Sequence, residues 1–253
     1  MINPLDLSGK HILVTGASSG LGRQTCITLS QLGAKVTLIA RNEEKLMQTL
    51  SSMEGTEHFF IPFDVSNVEM IERIIKQAVE QNGKLNGLVH AAGVATLKPL
   101  NMTKYDFMLD MMNLHLFSFV EMTRMMSKKR YSEDEASIVA ISSASTFSAD
   151  KGQTAYITTK GALDKAIRPM AIELGESRKI RINTVNPGWV KTDMYRKYIQ
   201  ELGQERMDEM LKANFLGAAE TTDVANTIAF LLSDVSKKIT GQNIILDGGW
   251  TIH

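Results

Sequence analysis

The sequence predicts an α/β protein built on one doubly wound parallel sheet. Three observations predict it. Short β-branched runs alternate with longer amphipathic stretches from one end of the chain to the other, the runs are almost continuously apolar, and a glycine-rich turn joins the first run to the first amphipathic stretch. Continuous apolarity is what strands need when helices cover both of their faces.

Taken in order, strands are expected at 10–16, 35–41, 59–64, 87–93, 137–143, 181–187 and 243–247. Between them, residues 67–81 carry Val68, Ile71, Ile75 and Val79 on one helical stripe, and residues 222–233 carry Val224, Ile228, Leu231 and Leu232 in the same way. Met-rich 107–126 and apolar 156–172 read as two further helices, with Pro169 predicting a local kink. Gly33 and Gly83 fall where helices stop, and Thr222 with Asp223 where the last one starts. Right-handed crossovers between such units give the doubly wound order.

The 253 residues include 28 Lys+Arg and 28 Asp+Glu, so the chain lacks the basic excess that nucleic acid or an anionic membrane surface demands. With 43% apolar and 22% charged residues it reads as an ordinary globular protein. No linker, repeat or composition break divides it, so one domain over 1–253 is expected. Apolar runs such as Ile12-Leu13-Val14 are too short to span a bilayer, and the chain reaches Asp6 with no basic-then-apolar leader; a cytoplasmic protein is expected. The one cysteine, Cys26, leaves no internal disulfide framework and no multi-thiolate zinc site, and it reads as a small buried apolar residue. No metal is expected. Residues 189–220 break the rhythm, being long, helical and rich in Lys, Glu and Met. Following a strand's carboxyl end, they suit a substrate lid; a solvated helical excursion is the alternative.

The first strand runs into Thr15-Gly16-Ala17-Ser18-Ser19-Gly20-Leu21-Gly22 and then into a helical pattern. Glycines let a backbone approach a pyrophosphate, and the free amides and positive end of the helix attract its charge. Gly16, Ser18, Ser19, Gly20 and Leu21 are therefore the candidate phosphate contacts. After the second strand the chain reads Ala40-Arg41-Asn42, with no acidic residue to bind a ribose 2′-hydroxyl. A guanidinium can pair with a 2′-phosphate, so Arg41 favours NADP(H) over NAD(H), with Ser18 and Asn42 as further donors. Alternatively Arg41 only meets Glu43 or Glu44. Asp64 and Val65 close the third strand where an adenine ring would rest, although Asp64 also suits a helix start.

Tyr156 and Lys160 stand four residues apart and share one helical face. A neighbouring ammonium lowers the pKa of a phenol and fits it for proton transfer near neutrality. Ser142-Ser143 ends a buried strand, where a hydroxyl can hold a carbonyl oxygen in line with that phenol. Asn113 lies within an otherwise apolar helix, either organising water and backbone or simply satisfied in the core.

Together, Thr15-Gly16-x3-Gly20-x-Gly22, His90-Ala91-Ala92-Gly93, Asn113, Ser143, Tyr156-x3-Lys160 and Pro187-Gly188-x-Val190-x-Thr192 resemble the short-chain dehydrogenase/reductase family. The resemblance extends to Thr240-Gly241-Gln242 and Asp247-Gly248-Gly249, so it covers nearly the whole chain. It implies a Rossmann-type fold and hydride transfer between NAD(P)H and an alcohol/ketone pair. Tyr156 would be the acid-base group; Lys160 would lower its pKa and bind the nicotinamide ribose. Ser143 would orient the substrate oxygen, and Asn113 would support a water relay to Lys160. Ala91, Ala92 and Gly93 would lie against the cofactor, and Pro187, Gly188, Val190 and Thr192 would frame the nicotinamide. The family pattern Asn-Asn-Ala-Gly is here His90-Ala91-Ala92-Gly93, so another group must satisfy the backbone that the missing amide would hold. His90 itself reads as a core or supporting residue in preference to a proton carrier.

These readings point to an NADP(H)-dependent reductase of a small-molecule ketone, with sugar, steroid-like or small-ketone substrates all open. The segments 190–194 and 221–249 are similar to bacterial 3-oxoacyl-acyl-carrier-protein reductases, which makes an acyl chain on an acidic carrier protein an alternative. Lys128-Lys129-Arg130 and Arg178-Lys179 with Arg181 would then supply positive charge. A dinucleotide sensor without catalysis is the competing class. The apolar faces of 107–126 and 156–172 and the family resemblance lead to the expectation of a homotetramer.

Overall fold

The computed structural model describes residues 3–252; residues 1, 2 and 253 of the expected domain lie outside the described residues. Strands β1 (His11–Thr15), β2 (Lys35–Ala40), β3 (Phe59–Pro62), β4 (Leu85–His90), β5 (Ser132–Ile141), β6 (Arg181–Pro187) and β7 (Asn243–Leu246) form one sheet in the order β3-β2-β1-β4-β5-β6-β7. Every neighbouring pair is parallel. Each expected strand is present. Two of them start earlier than their apolar pattern: β4 at Leu85 and β5 at Ser132, where pairing passes through an irregular register and Glu135 adopts φ 62.

Helices α1 (Gly20–Gln31), α2 (Glu43–Leu50) and α9 (Thr221–Leu232) cover one face of the sheet. Helices α3 (Ile71–Asn82), α4 (Tyr105–Met112), α5 (Ser118–Met126) and α6 (Thr154–Arg178) cover the other. Successive strand residues feed alternate cores: Leu13 joins Ile75, Phe119 and Leu163, whereas Ile12 and Val14 join Cys26, Leu29 and Ile228. That is why the strands read as unbroken apolar runs. Each fully buried Leu or Ile contributes about 1.5–3 kcal/mol relative to exposure. Cys26 is fully buried, as its sequence context suggests.

The strand order reverses between β1 and β4, which opens a crevice at their carboxyl ends. Between β6 and α9 the chain leaves the sheet and forms α7 (Asp193–Leu202) and α8 (Gln204–Met210). Helix α9 starts one residue before the expected Thr222. Glu220 and Asp223 form its capping box.

Two helices differ from their expected shape. The stretch expected as one helix over 107–126 is α4 and α5 joined through a π turn, Asn113–Phe117. Helix α6 continues through Pro169 to Arg178. Pro169 is exposed, so water can satisfy the Lys165 carbonyl that it leaves without a donor.

Candidate active site

The turn from β1 into α1 is shaped by close backbone approaches. Gly16 has φ 66, and a Cβ there would stand 2.8 Å from the Ala91 carbonyl; a Cβ on Gly22 would stand 2.3 Å from the Gly16 oxygen. Gly20 differs. A Cβ there would meet nothing nearer than the Thr192 methyl at 4.0 Å, so the space above it is open. Ser19 caps α1 without a side-chain hydrogen bond. Among the described residues the amides of Ser18, Ser19, Gly20, Leu21 and Gly22 have no hydrogen-bond partner. A row of free donors at a helix N-terminus under open space fits a pyrophosphate, so the residues present suit a dinucleotide.

Ser143 is buried just beyond the end of β5, and its hydroxyl accepts from the Ser145 amide at 3.2 Å and lies near enough to the Tyr156 phenol to act on it. Tyr156, in the first turn of α6, stands above the ordinary value of a phenol because burial raises it; the Ser143 hydroxyl acts against this. The depression expected from Lys160 is not among the influences on it in this arrangement. Lys160 is 5% exposed and donates to the Ile141 carbonyl at 2.7 Å. Burial lowers its ammonium to about 8, while the charge of Asp164 acts in the opposite direction. Gly93 is wedged beside it: a Cβ there would stand 3.3 Å from Lys160 Nζ and 3.2 Å from His115 Nε2. The carboxyl ends of β4 and β5 and the start of α6 thus bring Gly93, Ser143, Tyr156 and Lys160 together. Asn113 occupies the π turn, and among the described residues its side chain has no hydrogen-bond partner.

Three residues that the sequence did not single out as site members support this arrangement. Thr15 Oγ1 accepts the amides of Ala91 and Ala92, both at 3.1 Å, and having accepted twice it donates to His90 Nδ1 at 3.3 Å. Thr15 with His90 therefore replaces the amide absent at Ala91. His90 is fully buried, burial lowers it to about 3, and it serves as a core partner. His115 bonds the Val94 amide and Thr159. Asp164, one turn beyond Lys160, accepts from Thr146, Asn186 and Asn243 and ties the end of β6 and the start of β7 to α6. The only sequence signal for Asp164 was a charged residue on the buried stripe of its helix.

The remaining candidates are distributed around the crevice. Arg41 meets neither Glu43 nor Glu44; it reaches Asp64 at 3.6 Å and stays 75% exposed. Asp64 also accepts the amide and hydroxyl of Ser66, which gives it a turn-forming role. Asn42 caps α2 through Lys45. Val65 is buried. Pro187 ends β6, and Gly188 lies so near Asp247 that a Cβ would stand 2.9 Å from it. Val190 pairs with Ala219, and Thr192 caps α7. Past them, the Trp189 ring meets Tyr195 and Tyr198 edge-on, and Tyr198 is near enough to Tyr156 to influence its phenol.

Four of the six residues in the basic clusters offered as a carrier-protein surface are engaged within the fold, while Lys129 and Lys179 are exposed. Lys128 and Arg130 both pair with Glu72; Arg178 and Arg181 are buried, bound to carbonyls and, for Arg178, to Asp134. They also flank the amino ends of β5 and β6, opposite the end that holds Ser143. Among the described residues no helix is long and apolar enough to cross a membrane.

Residues 16–251 match the family described as enoyl-(acyl carrier protein) reductase. The chain is similar to an L-xylulose reductase of Caenorhabditis elegans, 32% identical over 249 residues, which covers 97% of each protein. It is also similar to the 3-oxoacyl-[acyl-carrier-protein] reductase of Staphylococcus aureus, 31% identical over 95% of this chain and 97% of the other. Among solved structures, a 7α-hydroxysteroid dehydrogenase bound to NADH and 7-oxo glycochenodeoxycholic acid superposes with a TM-score of 0.90 at 27% identity, covering 98% of both chains. A short-chain dehydrogenase/reductase of Serratia marcescens gives 0.89 at 27% identity over 98% of this chain and all of that one. With a family model matched over residues 16–251 and relatives above 30% identity along nearly its whole length, the chain belongs to the short-chain dehydrogenase/reductase family of oxidoreductases.

Proposed function

We propose that this protein reduces a small-molecule ketone to a secondary alcohol with NADP(H), using Tyr156 as the general acid. The observation that carries the reading is that Ser143 acts on the Tyr156 phenol, with buried Lys160 one helical turn further along α6 and a row of free helix amides at the start of α1. The dinucleotide supplies the hydride to the carbonyl carbon. Tyr156 gives its hydroxyl proton to the carbonyl oxygen and takes it back in the reverse direction. Ser143 holds that oxygen by hydrogen bonding, and Lys160 stabilises the phenolate left behind and binds the nicotinamide ribose. Asn113 supports the water through which Lys160 exchanges protons with solvent. Gly16, Ser18, Ser19, Gly20 and Leu21 hold the pyrophosphate, while Asp64 and Val65 flank the adenine. Ala91, Ala92, Gly93, Pro187, Gly188, Val190 and Thr192 enclose the nicotinamide.

Arg41 supports NADP(H) over NAD(H): it is exposed, carries no carboxylate at the neighbouring Ala40, and has only a 3.6 Å contact with Asp64 to give up. Residues 189–220 act as the substrate lid, with Trp189, Tyr195 and Tyr198 as an aromatic wall. A 3-oxoacyl chain on a carrier protein is the second reading. The S. aureus relative favours it, and the pairing of Lys128 and Arg130 with Glu72 weighs against a carrier-protein contact there. Exposed Tyr105, Leu109, Phe117 and Ile172 support a homotetramer, and a single-chain mass by light scattering would overturn that.

The test is NADPH oxidation across a panel of ketones and 3-oxoacyl thioesters with wild type and Tyr156→Phe. The variant should lose about 10²–10⁴-fold in kcat while still binding NADPH. Turnover close to wild type in the variant would sink the assignment.

A further inference from the structure

We propose that His115 is a positioning residue, a permanently neutral imidazole that clamps the chain after Gly93 to the helix carrying Tyr156 and Lys160. The proposal rests on the function proposed above and adds a residue to it. His115 is fully buried. Its Nε2 lies 3.1 Å from the Val94 amide, which can only donate, so Nε2 must be the unprotonated nitrogen. The proton then sits on Nδ1, which donates to Thr159 Oγ1 at 2.8 Å. Thr159 in turn donates to the Tyr156 carbonyl at 3.0 Å. Every donor in this chain has one acceptor, and a second proton on the ring would face the Val94 N–H. Burial, then the Lys160 charge and neighbouring His90, lower His115 to about 2, with the Val94 backbone acting in the opposite direction. The ring meets Tyr156 edge-on, at 6.1 Å between centroids and 82° between planes.

The clamp acts where the backbone has little else. Among the described residues, the Val94 bond is the one hydrogen bond made by residues 93–97; Ala92 is held by Thr15 and Lys98 by Gly152. Gly93 fits closely between His115 Nε2 and Lys160 Nζ, where a Cβ would stand 3.2–3.3 Å from them and press both aside. A ring at this place therefore sets the distance between the segment under the nicotinamide and the Tyr156–Lys160 face of α6. The π turn at Asn113–Phe117 supplies the ring, because it rotates His115 relative to the register of a continuous helix.

His115→Phe keeps the ring volume and removes both hydrogen bonds, and His115→Gln restores an acceptor near Val94. Hydrogen exchange of the 91–97 segment, followed by mass spectrometry without cofactor or substrate, should quicken by about 10-fold or more in His115→Phe and return toward wild type in His115→Gln. With a ketone that wild type reduces, kcat should fall about 10–100-fold in His115→Phe, with KM for the ketone changed far less and part of kcat restored in His115→Gln. The midpoints of the pH–rate profile should stay in place, since His115 does not titrate. Unchanged exchange in a folded His115→Phe, or wild-type kcat despite faster exchange, overturns the proposal. So does the loss of a pH–rate limb, which would make His115 a proton carrier. If His115→Phe does not fold, Thr159→Val takes its place, because it removes the acceptor of Nδ1 and leaves the ring. Absence of reduction by wild type would defeat the function proposed above, and the exchange measurement would still decide the clamp.

Discussion

At the scale of single residues, Lys160 is a buried cation whose charge is costly to hold. It is 5% exposed, and burial brings its ammonium down to about 8, with Asp164 acting against the fall. An unfolded lysine titrates near 10.4. Below about pH 8 both states hold the proton and the full cost of burying the charge is present. Between about 8 and 10.4 the unfolded chain binds more protons than the folded one, so stability attributable to this group rises with pH. Lys160→Met has no such dependence. Wild type should therefore gain on Lys160→Met in urea midpoint from about pH 7 to about pH 10. Losses that do not depend on protonation, such as packing of the stem, offset the comparison equally at each pH, so a difference that does not change with pH would refute the account.

Among the elements, the C-terminal end of α6 is tied to its neighbours by one side chain with four hydrogen bonds. Arg178, buried, donates through Nη1 to the Met126 carbonyl at 3.0 Å and Ser132 Oγ at 2.8 Å, and through Nη2 to the Ser132 carbonyl at 2.8 Å. Its Nε reaches Asp134 at 2.8 Å. It joins the end of α6, the end of α5 and the start of β5, and so fixes the far end of the helix whose first turns carry Tyr156 and Lys160. Arg178→Met keeps the stem but removes all four of these bonds, and although the Met126 carbonyl keeps the Ser132 hydroxyl at 2.6 Å, the Ser132 carbonyl loses its guanidinium donor, which should cost on the order of 1–3 kcal/mol in chemical denaturation. Arg178→Lys should recover only part, lacking the planar fork. A loss under about 0.5 kcal/mol in Arg178→Met would show that the Ser132 carbonyl finds water instead. This clamp was not legible in the sequence, where Arg178 read as an available surface charge: nothing in a linear pattern says that two carbonyls from other elements converge on it. The early starts of β4 and β5 were hidden for a similar reason, since Glu133, Asp134 and Glu135 mask strand character at an exposed edge of the pairing. The strands themselves were legible because burial on both faces leaves continuous apolar runs. The phosphate turn and the Tyr156-x3-Lys160 spacing were legible because both are local in sequence. His115 and Asp164 were not, because their meaning lies in which helix faces which loop.

For the molecule as a whole, the crevice sits where the two cores meet. Gly16 and Ala91–Ala92 touch across the β1–β4 switch point, while Thr192 from beyond β6 approaches Gly20. A ligand filling that space contacts segments supported by both faces of the sheet, so its binding free energy appears in unfolding of the entire domain. At a concentration of about 100 times its Kd, such a ligand adds about 2.7 kcal/mol, or roughly 5–10 °C in Tm for a chain of this size. Thermal unfolding with NADPH and with NADH therefore reads the cofactor preference before any substrate is known. NADPH should raise Tm at lower concentrations than NADH, and Arg41→Ala should erase most of that difference while leaving the NADH curve in place, because Arg41 is exposed and its pairing with Asp64 is weak. Equal shifts from the two nucleotides in wild type would remove the assigned role of Arg41 and leave the Tyr156 chemistry untouched. A shift from neither would mean that the free amides of residues 18–22 serve some other anion.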